Sequence, residues 1–362
     1  MSTLAEPREP GPDAAALARV MICDDSAVIR AALARMLEAD PAIRVVARVG
    51  NGKLAVEELR RQPVDVVVLD IEMPVMDGMA ALPLLLQADP CVRVVMASTL
   101  TTRGADIAIR ALRLGAADYV PKPDTAAIAD DTFRRELVAK VKGLARLRRR
   151  VSPPRRAGAP PTLRPAPRAA PQLVAIGSST GGPQALFTLM EALGREVRLP
   201  VVLTQHMPAT FMPILAEHIT RLGGMPCAEA AEGEPLRPGR IYLAPGDRHL
   251  LVRKGGATLH ARLSAEPAEN FCRPSVDPML RSAAEACGGR VLTVMLTGMG
   301  HDGLAGTRHV IEAGGGAIAQ DEATSVVWGM PGAIAQAGLC HAVLPLPRIG
   351  PRILEILRAV QA

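Results

Sequence analysis

The sequence predicts two doubly wound parallel α/β domains in tandem. Three observations carry this: short apolar runs alternate with helically spaced apolar residues up to residue 143, a Pro/Arg/Ala-rich stretch interrupts them, and the alternation resumes from residue 172. Alternating β and α patterns build parallel sheets with helices on both faces. At 362 residues the chain is long for one domain and long enough for two cores.

In the first half the apolar runs Val20 to Cys23, Ile43 to Val49, Val64 to Leu69, Val92 to Ala97 and Ala117 to Val120 predict strands. Helical spacing covers Ala27 to Leu37, Leu54 to Arg61, Gly78 to Gln87 and Gly104 to Leu114, and Thr132 to Arg149 adds a last helix. Five strands and five helices in alternation match a flavodoxin-like sheet. In the second half the strands are Leu173 to Ile176, Val201 to Leu203, Arg240 to Ala244 and Val291 to Leu296. Its helices are Gln184 to Leu193, Phe211 to Arg221, Pro278 to Cys287 and Leu304 to Ala313. Leu250 to Val252 and Thr258 to His260, parted by Lys254-Gly255-Gly256, predict a β-hairpin insertion. The boundaries expected are a disordered N-terminal extension at 1–18, a first domain at 19–143, a linker at 144–171 and a second domain at 172–362.

Composition narrows the function classes. Apolar residues at 49% and charged residues at 22% fit a globular protein. The start of the chain lacks the apolar core of a signal peptide, and no apolar run is long enough to span a bilayer, so a cytoplasmic protein without membrane insertion is expected. Six scattered cysteines with no C-x-x-C pair predict reduced thiols. The net charge of +6 raises nucleic-acid binding. Yet Arg146, Arg148, Arg149, Arg150, Arg155, Arg156, Arg164 and Arg168 exceed that surplus by themselves, and aromatics at 2% leave little for base stacking. No nucleic-acid partner is expected.

Asp24 and Asp25 follow the first predicted strand, Asp70 ends the third, Ser98 ends the fourth and Lys122 follows the fifth. Strand ends at the carboxyl edge of a parallel sheet converge on one crevice. Clustered carboxylates there suit Mg²⁺, which keeps waters and bridges to a phosphoryl group. This constellation resembles a two-component receiver domain over residues 19 to 143. The resemblance implies Asp70 as phosphoacceptor, Asp24, Asp25 and Asp70 as Mg²⁺ ligands, and Ser98, Lys122 and the aromatic Tyr119 as switch residues. Met73-Pro74-Val75-Met76-Asp77-Gly78 matches the loop that such domains carry after the acceptor.

In the second half, Gly177-Ser178-Ser179-Thr180-Gly181-Gly182 sits between a strand and a helix, the context of a nucleophilic serine in G-x-S-x-G. His206 follows the next strand as a candidate base, and Asp302 lies in Thr297-Gly298-Met299-Gly300-His301-Asp302-Gly303. The same loop spells G-x-G-x-x-G, and Asp321 ends a further apparent strand, so a dinucleotide site competes with a Ser179, His206, Asp302 triad. A receiver with a DNA-binding effector is a third reading, disfavoured by the strand-rich output half.

Residues 172 to 362 resemble the catalytic domain of the chemotaxis protein-glutamate methylesterases, the CheB family. The matching segments are Ile176 to Gly182, Gln205-His206-Met207-Pro208, Tyr242 to His249, Arg273-Pro274-Ser275-Val276-Asp277, Gly298 to Gly303, and Gln320 to Ser325. Ser178 stands where this resemblance leads one to expect alanine. The resemblance implies hydrolysis of glutamate methyl esters and deamidation of glutamines on methyl-accepting chemoreceptors. It further implies a sensor histidine kinase as phosphodonor, backbone N–H groups around Thr180 and Met299 as oxyanion donors, and no cofactor in the catalytic domain.

Overall fold

The computed structural model describes residues 17–98, 101–122, 131–149, 162–167 and 169–359. Five strands, β1 (Ala18–Cys23), β2 (Ile43–Val49), β3 (Val66–Asp70), β4 (Arg93–Ser98) and β5 (Asp118–Pro121), form a parallel sheet in the order β2-β1-β3-β4-β5. Order reverses beside β1, which opens a ligand crevice at the carboxyl edge. Helices α1 (Ala27–Glu38) and α5 (Asp131–Arg149) cover one face; α2 (Gly52–Arg61), α3 (Gly78–Ala88) and α4 (Thr102–Arg113) cover the other. Side chains start the first four helices: Ser26, Asn51, Asp77 and Thr101 each accept a bond from a first-turn N–H.

The second sheet has seven parallel strands in the order β14-β13-β12-β6-β7-β9-β8. Its centre is β12 (Val291–Met295), β6 (Leu173–Ser178) and β7 (Val201–Gln205), each fully buried, as expected for a sheet covered on both faces. The remaining strands are β8 (Cys227–Glu229), β9 (Ile241–Leu243), β13 (Gly316–Gln320) and β14 (Ala342–Leu344). On one face pack α6 (Gly182–Leu193), α7 (Met212–Gly223) and α11 (Leu346–Ala359); on the other, α8 (Val276–Cys287), α9 (Leu304–Glu312) and α10 (Met330–Gln336). The insertion is an antiparallel hairpin of β10 (His249–Gly255) and β11 (Thr258–Ser264), longer than its apolar residues predict.

Helix α5 ends at Arg149, where the apolar spacing predicts, and its Leu144 and Ala145 are buried, so the first residues assigned to the linker belong to this helix. Arg148 pairs with Asp89 at 2.7 Å and Arg146 with Glu322 of the second domain at 2.8 Å, so these two arginines are engaged on folded surfaces. Further along, Arg164 N donates to Cys340 O at 2.8 Å, which lays this part of the linker against the second domain. The N-terminal extension lies outside the described residues apart from its last two, of which Ala18 opens β1.

Candidate functional site

At the edge of the first sheet, Asp24, Asp25 and Asp70 each offer a carboxylate oxygen, all within 4.8 Å of one another. Asp24 and Asp70 are buried. Asp24 Oδ2 takes no hydrogen bond from the described residues, and such an orphan oxygen is what a hard divalent cation would satisfy. The three carboxylates therefore fit Mg²⁺. Lys122 Nζ lies 2.7 Å from Asp70 Oδ2 and 3.7 Å from Asp24 Oδ2. Burial raises the Asp70 carboxyl above the usual range, against the pull of Lys122. Burial also opposes the Lys122 charge, but its contact with Asp70 outweighs this and holds the ammonium above its ordinary value. The Ser98 hydroxyl donates to Gly104 O at 2.8 Å, at the start of α4.

In the second domain β6 delivers Ser178 buried and Ser179 half-buried. The Ser178 hydroxyl donates to Gln205 Oε1 at 2.7 Å, while Gln205 Nε2 donates to the carbonyls of Ser179 and His206, both at 3.0 Å. Gln205 thus ties the end of β7 to the turn after β6. The Ser179 hydroxyl makes no hydrogen bond among the described residues, and neither do the N–H groups of Thr180 and Met299. Gly298 sits against the serine: a Cβ there would stand 3.0 Å from Ser179 Cβ and collide with Met330, so only glycine brings this loop so close.

His206 Nε2 lies 2.8 Å from Asp302 Oδ2. That leaves Nδ1 as the basic nitrogen, with Cys272 Sγ 3.5 Å from it. Asp302 accepts from His206 and Val276 N on Oδ2, and from Ser275 Oγ, Asn270 Nδ2 and Asp277 N on Oδ1, at 2.7 to 3.2 Å. Two of these donors are first-turn N–H groups of α8, so the helix N-terminus adds its dipole to the hydrogen bonds. Asp302 is buried and His206 half-buried. Burial works against both charges, but their mutual hydrogen bond prevails, lowering the Asp302 carboxyl and raising the imidazole. His206, Cys272 and Asp302 also offer metal-ligand atoms within 4.8 Å, but Asp302 is already filled by its donors.

The first domain meets the second through the start of β5 and through α5. Asp118 Oδ2, from β5, accepts from Gly181 N at 2.9 Å, two residues beyond Ser179, and its charge is answered by Lys140 Nζ of α5 at 3.2 Å. Tyr119 stacks on Phe211 of the second domain, ring centroids 4.6 Å apart. Gly143 of α5 packs against the Val326 backbone, where any Cβ would collide with the carbonyl oxygen. Tyr119 therefore stands at a domain contact.

Ser275 and Asp277, in one of the segments that carry the resemblance, both donate to Asp302, and Asp277 Oδ1 also accepts from Gly306 N at 2.5 Å. His249 is structural, accepting from Ser275 N at 3.1 Å. Asn270, Cys272 and the bonding role of Gln205 were missed. Gln205 had a signal, its place just before His206; Asn270 and Cys272 had none. The dinucleotide reading loses its acidic residue, because Asp321 Oδ1 accepts from Thr324 N and Thr324 Oγ1 at 2.9 and 2.7 Å.

A receiver-type acidic crevice, with Ser179, His206 and Asp302 at the carboxyl edge of a second parallel sheet, points to a response regulator with a hydrolase effector. Known proteins agree. The family model for CheB methylesterase matches residues 174–353, and that for the response regulator receiver domain matches 20–131. The chain is 55% identical to the protein-glutamate methylesterase/protein-glutamine glutaminase of group 2 operon from Rhodospirillum centenum, over 93% of each chain. It is 56% identical to the protein-glutamate methylesterase/protein-glutamine glutaminase of Azospirillum brasilense, over 92% of this chain and 91% of that one. The crystal structure of the Thermotoga maritima CheB methylesterase catalytic domain is 37% identical, with a TM-score of 0.50, covering 52% of this chain and 100% of that one. The chain belongs to the protein-glutamate methylesterase/protein-glutamine glutaminase family.

Proposed function

We propose that this chain hydrolyses glutamyl methyl esters and glutamine side-chain amides of chemoreceptors, with Ser179 as nucleophile, His206 as base and Asp302 as the group that orients it. The observation that carries this is the saturated Asp302 on His206 Nε2, which leaves Nδ1 as the nitrogen to take a proton, together with a Ser179 hydroxyl that has no hydrogen bond among the described residues. Ser179 Oγ attacks the side-chain carbonyl as Nδ1 accepts its proton; the imidazolium is stabilised by Asp302 and then protonates the departing methanol or ammonia. Thr180 N and Met299 N, which have no other acceptor among the described residues, hold the oxyanion. Water then attacks the glutamyl ester, with His206 again as base.

Control comes from the receiver, for which we take 19–149 as the domain because α5 runs to Arg149, with the linker from there to 171 and the catalytic domain at 172–362. Mg²⁺ on Asp24, Asp25 and Asp70 would supply charge neutralisation for phosphoryl transfer from a histidine kinase to Asp70. Lys122 meets the phosphate, and Ser98 and Tyr119 respond to it. The contact of Asp118 and Tyr119 with Gly181 and Phe211 couples that change to the nucleophile turn. Among the described residues no helix is long and apolar enough to cross a membrane. We take the chain to act in the cytoplasm, on the exposed part of its receptor. Methanol release from methylated receptor, lost in Ser179→Ala, tests this; retained release in that variant would refute the assignment.

A further inference from the structure

Phe271 is 100% exposed, yet the turn that carries it is tightly held. Asn270 and Phe271 both adopt left-handed backbone, φ 54° and 63°, a conformation that a bulky residue keeps only when its surroundings enforce it. The enforcement is visible. Glu269 and Cys272 exchange backbone hydrogen bonds at 3.1 and 2.9 Å, and Arg281 forks onto the Glu269 carboxylate with both bonds at 2.7 Å. Asn270 Nδ2 bonds Asp277 and Asp302 at 2.8 and 2.9 Å, and Cys272 Sγ meets His206 Nδ1 at 3.5 Å. The residues on either side of Phe271 thus reach two catalytic groups, while the ring between them stands in solvent.

We infer that Phe271 is a specificity-determining residue, its ring packing on the surface of the substrate protein beside the target glutamyl side chain. The inference rests on the esterase reading above. The His206 side chain is only 14% exposed, so a slender side chain reaches it and the body of the substrate stays outside, at the level of Phe271. A strained turn that presents an apolar ring at the lip of such a site stores its strain for an external contact.

The test compares full-length wild type with Phe271→Ala, Phe271→Gly and Phe271→Leu on two substrates: methylated chemoreceptor and a small soluble ester, the γ-methyl ester of N-acetylglutamate. Phe271→Ala is expected to raise KM for the receptor about tenfold, the scale of one lost aromatic contact, with kcat nearly unchanged. Its kcat/KM for the small ester stays within about twofold of wild type, since no catalytic group is touched. Phe271→Leu recovers most of the receptor affinity. Phe271→Gly loses it as alanine does while raising Tm, because glycine relieves the left-handed strain. Unchanged receptor KM in the alanine and glycine variants, or equal losses on both substrates, overturns the inference. A wild-type protein that hydrolyses neither ester overturns the esterase reading instead.

Discussion

The two domains place their working groups at the same address, the carboxyl edge of a parallel sheet, and treat carboxylates there in opposite ways. Asp302 is filled by five donors, two of them from a helix N-terminus, whereas Asp24 Oδ2 in the other domain has no hydrogen bond among the described residues. A carboxylate saturated by protein donors is fixed and ionised, which suits holding an imidazole. Carboxylates crowded together and short of donors are built to receive a cation and then a phosphoryl group. Donor count separates the two uses where the folds do not.

The comparison breaks first at the nucleophile. Ser179→Ala is expected to lower methanol release on the order of 10⁴-fold or more, with the fold intact. Ser178→Ala removes a buried hydroxyl from Gln205 and costs stability, about 1–3 kcal/mol, while keeping most of kcat. Thermal unfolding and steady-state kinetics of the pair decide it, and the reverse pattern would move the nucleophile to Ser178.

Next comes the saturated carboxylate. Asp302→Asn and His206→Ala each lower kcat about 10³–10⁴-fold, and the double variant is little worse than the poorer single one because the groups act as a unit. Independent losses that multiply would contradict a triad. The pH profile sharpens the same point. His206 must be neutral to accept the Ser179 proton, and its pKa is raised, so activity falls as pH drops through a value above the ordinary imidazole value of about 6.5. In Asp302→Asn the partner that favours the imidazolium is gone, and the residual activity should titrate at lower pH. An unshifted limb would sever the link.

The unsaturated site is tested by metal removal. Chelation of Mg²⁺ should abolish phosphorylation by a small phosphodonor and leave basal ester hydrolysis unchanged. A parallel loss of basal activity would place a metal in the catalytic domain. The smallest effects lie at the contact between domains. Asp118→Asn weakens the bond to Gly181 and should raise basal activity several-fold; Arg146→Ala removes a half-exposed pair with Glu322 and should raise it less than about fivefold.

Both sheets were legible from apolar runs that end in chemically active residues, since strand burial and strand-end chemistry are written locally. Elements without such runs were not: β8 and β14 are three-residue edge strands, α10 is two turns long, and α11 carries Pro351 inside it. Ser179, His206 and Asp302 each follow a strand, and the fold brings the last two together at 2.8 Å. Asn270 lies 32 residues from Asp302 in a turn with no periodic pattern, so only the tertiary fold reveals its bond. Nor does local sequence say that Arg146 and Arg148 meet acidic partners instead of solvent, or that Asp118 reaches across to Gly181.

The claim that one site governs the other is tested most directly by methanol release from methylated receptor, with and without acetyl phosphate, in wild type, Asp70→Asn and Ser179→Ala. Acceleration in wild type, no response in Asp70→Asn and silence in Ser179→Ala are expected. Acceleration of Asp70→Asn to the wild-type extent would contradict it.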